Sequence, residues 1–430
     1  MSIPQAVAPQ QDSEGADSLQ PRPRSMPTTW DYETLRQLIR HEPLPLALVD
    51  LDRFEQNVRE FSQRASAAQK TIRVASKSIR VPDLLRRVFS AGGPVMQGIM
   101  CYCAEEAGLL ADQGFDDLLI GYPTCQARDV EVLHRLAQSG KKAAVIIDSR
   151  AQVEAITVRW RELGGDQPLR VCIEVDISWR PWGIHIGAQR SPLRSLAAVG
   201  DLLDDIARHP ELRLVGCMTY EAHLAGVRDS AAGSPLRNLA VQTMKAWATP
   251  RAADQRKRLA ELFEKRKISL ELVNGGGTGS FSFALRDPWL TEVTVGSGFL
   301  QSHLFDGYPD VFAQPALLFA LPITRTSQPD RVTCHSGGFI ASGSPGSDRL
   351  PLPVLPAGVR IDPQEGCGEV QTPLIVPQGS QGRLSIGDPV FFRPAKAGEL
   401  AEHFAEYLVL QGGRISGRMK TYRGLGCCFH

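Results

Sequence analysis

The strongest constraint on the fold is a repeated alternation of short apolar runs with helical stretches. The apolar runs are rich in Val, Ile and Leu, as strands buried on both faces of a parallel sheet are. They comprise residues 46–52, 71–76, 95–100, 117–122, 143–148, 169–176, 212–218, 270–273 and 292–295. Alternation over about 250 residues predicts an α/β fold, a closed (β/α)8 TIM-type barrel.

An open, doubly wound parallel sheet is the alternative arrangement of such a chain. That fold would place a glycine-rich fingerprint directly after the first strand. The residues at that place, Leu51, Asp52, Arg53 and Phe54, contain no glycine. The pattern therefore favours the closed barrel.

Changes in composition predict three parts of the chain. Residues 1–28 are rich in Pro, Gln, Ser and Ala, which indicates a disordered tail. Residues 29–313 hold the barrel with a short N-terminal lead-in. From residue 314 the chain shows short strands with many Pro and Gly residues, so residues 314–430 are predicted to form a C-terminal antiparallel β-domain.

Charge and cysteine content narrow the class of protein. The chain has 48 basic and 47 acidic residues, a net charge of +1, which indicates no nucleic-acid or membrane partner. No apolar run reaches the ~18 residues needed to span a bilayer, and no hydrophobic signal core is present. Nine cysteines without a secretion signal indicate reduced thiols and a cytoplasmic protein.

Lys77 is the first candidate for chemistry, because it ends the apolar run of residues 71–76. Functional groups of a barrel lie at the C-terminal ends of its strands. A lysine that is desolvated there can lose its proton and attack a carbonyl, whereas a solvated strand-end lysine does not do so readily. Both interpretations of an isolated lysine remain open at this point.

A glycine-rich turn follows the eighth run, at residues 274–280, and a shorter one contains Gly296 and Ser297. Bare backbone N–H groups in such turns can surround a phosphate, and phosphate sites commonly form late in a barrel. Three consecutive glycines also occur in plain flexible loops. An amine that can form an imine, together with a late phosphate site, predicts a pyridoxal phosphate enzyme.

Five motifs together resemble the alanine-racemase-like, fold-type III pyridoxal phosphate enzymes, and within them the D-threonine aldolase and D-serine dehydratase branch, known as amino acid deaminase/aldolase. The motifs are residues 45–52, 74–77, 173–176, 220–223 and 274–279. The resemblance implies a barrel that holds pyridoxal 5'-phosphate, a C-terminal β-domain and a homodimer. It also implies a lyase that acts on a β-hydroxy amino acid of D configuration.

The resemblance assigns roles to individual residues. Lys77 takes the place of the Schiff-base lysine, and Arg180 falls where an arginine lies near the cofactor ring. Tyr220, Glu221 and His223 stand at the strand end that faces substrate, where one of them could accept the proton of the β-hydroxyl. The phosphate is expected at Gly276, Gly277, Thr278, Gly279, Gly296 and Ser297.

The chain departs from the metal-dependent members of that branch. Where they carry a His-x-Asp or His-x-Cys pair that holds a divalent cation, this chain has Pro394 and Lys396, neither of which binds a metal ion. A divalent metal is therefore not supported by the sequence. We hypothesise that the Lys396 ammonium group substitutes for the cation; the alternative is an exposed structural lysine. A zinc site at Cys427, Cys428 and His430 is a weaker alternative.

Three outcomes remain open for the small amino acid substrate. Retro-aldol cleavage and dehydration with deamination share nearly all the residues named above. A racemase would need a second acid/base, for which Tyr407 and Tyr422 are candidates. A protein that binds the cofactor without catalysing a reaction is a further alternative.

Overall fold

The computed structural model describes residues 30–229, 234–308, 312–377 and 384–429. The predicted disordered tail, residues 1–28, lies outside the described residues. The described chain forms a closed barrel of eight parallel strands and a second sheet of nine strands. The predicted barrel is confirmed, and the open-sheet alternative is wrong.

The chain begins with helix α1 (Tyr32–Leu38) and strand β1 (Leu46–Asp50). The barrel strands that follow are β2 (Thr71–Ala75), β3 (Met96–Cys101), β4 (Leu118–Ile120), β5 (Ala143–Ile147), β6 (Leu169–Glu174), β7 (Leu212–Thr219), β8 (Leu272–Gly275) and β9 (Glu292–Val295). The helices between and after them are α2 (Leu51–Ala67), α3 (Pro82–Gly92), α4 (Ala104–Asp112), α5 (Ala127–Gln138), α6 (Arg150–Leu163), α7 (Leu196–Ala207), α8 (Ala222–Ala225), α9 (Pro235–Lys265), α10 (Phe281–Arg286) and α11 (Ser297–Leu300).

The barrel closes where β9 pairs with β2, in a parallel register that aligns Thr71 with Glu292 and Val74 with Val295. Its wall is made of the apolar runs seen in the sequence, which are buried against the surrounding helices. The buried Arg73 side chain reinforces this seam, because its Nε donates to Glu292 Oε1 at 2.6 Å. The closed wall directs all eight strand ends toward one mouth.

The second sheet also contains β10 (Leu317–Gln328), β11 (Arg331–His335), β12 (Leu352–Leu355), β13 (Arg360–Ile361), β14 (Gln371–Ile375), β15 (Pro389–Arg393), β16 (Glu406–Gln411) and β17 (Arg414–Lys420), with the short helix α12 (Ala397–Leu400). All its strand pairs are antiparallel except that of β1 with β16. The prediction of a C-terminal domain built from antiparallel strands is therefore confirmed.

One strand assignment is wrong. The run at residues 46–52 was expected to supply the first barrel strand, but β1 lies in the second sheet between β10 and β16. The error has a physical cause: a fully buried strand has the same apolar composition in either sheet. The division at residues 29–313 and 314–430 stays a prediction.

Within the part of the chain that the structure describes, we find no helix long and apolar enough to cross a membrane.

Candidate active site

A cavity of about 670 Å³ opens at the C-terminal ends of the barrel strands, between the barrel and loops of the second sheet. The predicted site residues that line it are Lys77, Tyr220, Gly276, Gly277, Thr278, Gly279, Gly296, Ser297 and Lys396. Arg180, Glu221 and His223 do not belong to this lining. The structure thus brings together the expected amine, the glycine turns and the lysine at the metal position.

Lys77 lies on a single 3-10 turn that follows β2. Its side chain is exposed to the cavity, and its Nζ donates a hydrogen bond to the Tyr122 hydroxyl at 2.6 Å. Tyr122 follows β4 and also lines the cavity. The turn points the Lys77 amine into the open cavity, where it is accessible to solvent in the chain alone.

The glycine loop, which we define as residues 276–280, follows β8, which only β9 separates from β2 in the barrel. Gly276 has φ +78°, and a Cβ atom there would lie 2.6 Å from Val293 Cγ1. Only glycine tolerates both this backbone conformation and this approach. The loop is therefore packed tightly against β9 while its Gly277 to Gly279 portion borders the cavity.

A buried ion pair supports the glycine loop from behind. Glu221 is fully buried; it pairs with Arg256 of α9, accepts a hydrogen bond from Gly276 N at 3.2 Å and accepts another from Ser280 Oγ at 2.6 Å. Arg256 also donates to the Thr219 carbonyl at 2.7 Å. Both Glu221 oxygens are thus used to hold the loop, which favours a structural role for this residue.

Two other predicted residues of this strand end differ in their placement. His223 is 2% exposed, and burial lowers its pKa, so the ring is neutral at neutral pH. Neither ring nitrogen has a hydrogen-bond partner among the described residues. Tyr220 does line the cavity, beside Gly277, and burial raises its pKa to about 12.

Lys396 lies in the turn before α12 and faces the cavity from the second sheet. Its Nζ donates to Ser342 Oγ at 2.7 Å and to Glu399 Oε1 at 2.9 Å. Glu399 is held by hydrogen bonds from both the backbone and the hydroxyl of Ser342. These two contacts fix the Lys396 ammonium group at the edge of the cavity.

Arg180 points away from the cavity, because its Nη2 pairs with Asp176 Oδ2 at 2.6 Å and its Nε donates to His185 Nδ1 at 2.9 Å. Arg190, further along the same loop, lines the cavity instead. No local sequence pattern indicates Arg190, since it stands far from any strand end. Arg190 reaches the cavity because the loop after β6 folds back to the barrel mouth.

Glu174 is a cavity residue whose role the sequence reasoning missed. It is the last residue of β6, and desolvation by burial raises its pKa to about 7, against the opposing effects of Arg190 and Lys77. Its place at a strand end was a usable signal, because barrel chemistry lies there. A carboxyl group that titrates near neutral pH is suited to proton transfer.

The residues around the cavity fit pyridoxal phosphate. The Lys77 amine lines the cavity, and so do the glycine loop, Gly296 and Ser297, which present backbone with little side-chain obstruction. The cavity volume of about 670 Å³ lies within the range of small-molecule sites, ~300–1,000 Å³. In the described part of the chain, no group of three or more His, Cys, Asp or Glu side chains could hold a metal ion; His430 of the zinc alternative lies outside the described residues.

The fold is a barrel, and a lysine and a glycine-rich turn lie at one mouth of it. The family model "Alanine racemase, N-terminal domain" matches residues 49–300. The chain therefore belongs to this family, whose members are fold-type III pyridoxal phosphate enzymes.

Individual relatives are more distant. The chain is 25% identical over 256 residues to the 3-hydroxy-D-aspartate aldolase of Paracoccus denitrificans, a match that spans 59% of either chain. It is 23% identical over 298 residues to the D-threonine aldolase of Arthrobacter sp, covering 68% of this chain and 71% of that protein. The solved D-threonine aldolase from Filomicrobium marinum has the same fold, with a TM-score of 0.72, 21% identity, and coverage of 89% of this chain and 96% of that one.

Proposed function

We propose that this protein is a pyridoxal-phosphate-dependent lyase that acts on β-hydroxy amino acids of D configuration. The observation that carries the proposal is that Lys77, the glycine loop and Lys396 line one cavity. The names of the relatives supply the D configuration and the β-hydroxyl group. Lys77 and the glycine loop would hold the cofactor, and Lys396 would face the substrate.

When bound, pyridoxal phosphate supplies an aldehyde that combines with an amine and a ring that withdraws electron density from Cα. The protein's part is to bind and orient. Lys77 is placed for the aldehyde end, and the backbone of residues 277–279 with Gly296 and Ser297 for the phosphate end. Arg190 replaces Arg180 as the cavity arginine that could approach the ring.

Two cavity residues are placed to act on the substrate's β-hydroxyl and Cα. The Lys396 ammonium group can donate to the hydroxyl, the task that a cation performs in the metal-dependent enzymes. Glu174, whose pKa burial raises to about 7, can accept or return a proton near neutral pH. Removal of the hydroxyl proton breaks the Cα–Cβ bond and gives glycine and an aldehyde. Loss of the Cα proton and of the hydroxyl gives a 2-oxo acid and ammonia after hydrolysis.

The charges around the cavity favour a substrate with an acidic side chain. Seven cationic residues line it, namely Lys77, Arg80, Arg190, Arg228, Arg237, Arg349 and Lys396, against the three acidic residues Glu174, Asp348 and Glu399. A concave site with excess positive charge attracts anions. We therefore place a β-hydroxy dicarboxylic amino acid, as in the name of the Paracoccus relative, ahead of D-threonine.

Product analysis tests the proposal. The loaded protein is incubated separately with D-threo- and D-erythro-3-hydroxyaspartate, D-threonine and D-serine. Glycine with an aldehyde identifies an aldolase, and a 2-oxo acid with ammonia identifies a dehydratase. Inversion at Cα would show a racemase, and no turnover of any compound would contradict the lyase proposal.

A metal assay tests the role of Lys396. We expect the protein to keep full turnover after EDTA treatment, and Lys396→Met to lose turnover without rescue by Mn²⁺ or Zn²⁺. A metal that binds with defined stoichiometry and restores activity after EDTA treatment would contradict the substitution of a cation by Lys396.

The two alternatives have less support. Tyr407 and Tyr422 are 0% and 1% exposed, so neither is available on the surface to reach a partner's site as a racemase would require. A non-catalytic cofactor carrier would not need the charged second-sheet wall around Lys396.

Two further proposals concern the state of the protein. We propose a homodimer, supported by large apolar side chains that are exposed in the chain alone, among them Trp182, Leu236 and Trp247, at 92%, 83% and 53% exposure. A monomer mass measured by light scattering after size exclusion would contradict the homodimer. We also propose a reducing, cytoplasmic location, because the buried cysteines Cys101, Cys172, Cys217, Cys334 and Cys367 are free thiols.

A further inference from the structure

The segment that carries Lys77, residues 76–80, is held by residues from the C-terminal end of the chain. Tyr422 N donates to the Arg80 carbonyl at 3.0 Å, and Arg80 Nη1 pairs with Glu402 Oε1 at 2.6 Å. Arg80 Nε also donates to the Lys77 carbonyl at 3.1 Å. The backbone of Lys77 is therefore linked through Arg80 to residues 402 and 422.

A second connection runs through Glu106, in the first turn of α4. Its carboxyl group is completely buried; Oε2 accepts from Tyr102 N at 2.8 Å and Oε1 accepts from the Tyr422 hydroxyl at 2.7 Å. Glu106 does not line the cavity, and the reactions proposed above do not use it. A buried carboxyl bonded across two parts of the fold needs its own explanation.

Ser76, the residue before Lys77, is fixed separately, because its hydroxyl donates to the Met100 carbonyl at 2.9 Å. Tyr422 therefore joins Glu106 to the Lys77 segment: its hydroxyl donates to Glu106 and its backbone N–H donates to the Arg80 carbonyl. An ionised Glu106 accepts from both the Tyr422 hydroxyl and Tyr102 N, whereas a protonated Glu106 carries a hydrogen on one oxygen and accepts more weakly there.

We propose that Glu106 and Tyr422 are positioning residues for Lys77: they form a latch that fixes residues 76–80 according to whether Glu106 is ionised. The ionised carboxylate accepts from the Tyr422 hydroxyl and Tyr102 N together, and so holds Tyr422 against residues 76–80. The neutral carboxyl accepts more weakly at its protonated oxygen, which loosens Tyr422 and the segment bonded to it. This inference rests on the proposed role of Lys77 and adds control of its position by a residue outside the cavity.

The surroundings of Glu106 set the pH at which the latch changes. Burial is the main influence, and it raises the pKa of Glu106 to about 7; hydrogen bonds from Tyr102 and Tyr422 and the nearby Arg80 oppose it. The other titratable groups that face it are Cys101 and Cys103. The latch should therefore tighten as pH rises through neutrality.

The test follows the visible absorbance of the loaded, full-length protein from about pH 5 to pH 9, with cofactor release measured at each pH. The wild-type protein should show an ionisation near neutrality, with faster release below it. Glu106→Gln should abolish that ionisation, and Tyr422→Phe should move it to higher pH because a bond to the carboxylate is lost. Since displacements of about 1 Å can cost ~100-fold at a reacting centre, we expect about tenfold faster release in Glu106→Gln at high pH.

Tyr32→Phe is the matched control, because the Tyr32 hydroxyl donates to the Pro389 carbonyl at 3.1 Å within the second sheet. It should leave the titration unchanged. The latch is contradicted if Glu106→Gln retains the ionisation, or if Glu106→Gln and Tyr422→Phe lower only the melting temperature. If Tyr422→Phe does not fold, the near-isosteric Glu106→Gln decides alone. Persistence of the absorbance band in Lys77→Ala would instead contradict the proposed function.

Discussion

The two walls of the cavity are built in different ways. The barrel wall depends on backbone and on buried charge: the glycine loop is held by Glu221 and Arg256, which are both fully buried. The second-sheet wall consists of side chains in partial contact with water, such as Lys396 and Glu399, at 35% and 31% exposure. A buried wall is suited to bind a cofactor that is the same in every reaction cycle. A wall in contact with water can change its charged residues while the protein still folds. We therefore expect changes to the barrel wall to affect binding and folding, and changes to the other wall to affect substrate choice.

Lys77→Ala should have the largest effect on the barrel wall. Without the amine we expect activity to fall at least ~10³-fold and the cofactor's visible absorbance to disappear. Absorbance and turnover of the protein incubated with pyridoxal phosphate measure both effects. A yellow, active variant would show that the barrel wall does not hold the cofactor through residue 77.

Arg256→Met should be the most destabilising change behind the glycine loop. It leaves Glu221 charged and buried without its partner, which costs about 3–5 kcal/mol of the free energy of unfolding. Urea denaturation measures the loss. Arg258→Met is the control on the same helix, because Arg258 is exposed and its pair with Asp254 contributes at most about 0.5 kcal/mol. If the two variants lost the same free energy of unfolding, the buried and the exposed ion pair would contribute equally to stability, contrary to our expectation.

Lys396→Met tests the second-sheet wall. A lost hydrogen bond from a charged group is equivalent to about 1.5–3 kcal/mol, so kcat/KM should fall roughly 10- to 150-fold. Folding stability should change little, because Lys396 is partly exposed. Kinetics and a melting curve separate the two. A large loss of stability with unchanged kinetics would reverse the roles of the walls.

Gly398→Ala tests the contact between the walls. A Cβ atom at this position would lie 1.8 Å from the Lys77 carbonyl oxygen, so the backbone must move. We expect a loss of about 1–3 kcal/mol in stability and weaker cofactor binding. Gly108→Ala is the control, since a Cβ there meets first the flexible end of the Arg135 side chain, at 2.9 Å. If both variants behave alike, the contact at residue 398 does not position Lys77.

Glu174→Gln should give the smallest change in stability. Because burial raises the pKa of Glu174 to about 7 in the folded protein, its contribution is fully present below the unfolded pKa, about 4.5, and is lost as pH rises through about 7. Glu174→Gln should remove this pH dependence, and it should leave stability almost unchanged below about pH 4.5, where the carboxyl is neutral in both states. Unfolding free energies at several pH values measure it. An unchanged slope would show that Glu174 is solvated.

The sequence predicts cavity residues well where they belong to motifs at strand ends, and poorly where long loops supply them. Lys77 and the glycine loop are local motifs at strand ends, where the fold dictates their direction. Arg190 and Arg349 reach the cavity through long loops whose paths depend on tertiary contacts, and no local pattern reveals them. The family resemblance predicts that Glu221 faces substrate. Its partner Arg256 lies on α9, and only the fold brings the two residues together.

The placement of β1 makes the barrel an insertion within the second sheet. Leu46 aligns with Ala320 on one side of this strand, and Ala47 aligns with Tyr407 on the other. A fragment that starts at residue 314 would lack a central strand and expose two unpaired edges, which is a template for aggregation. Strands β1 and β16 must therefore pair before the substrate-facing wall is complete. A nascent chain thus cannot complete its cavity until translation has passed residue 410.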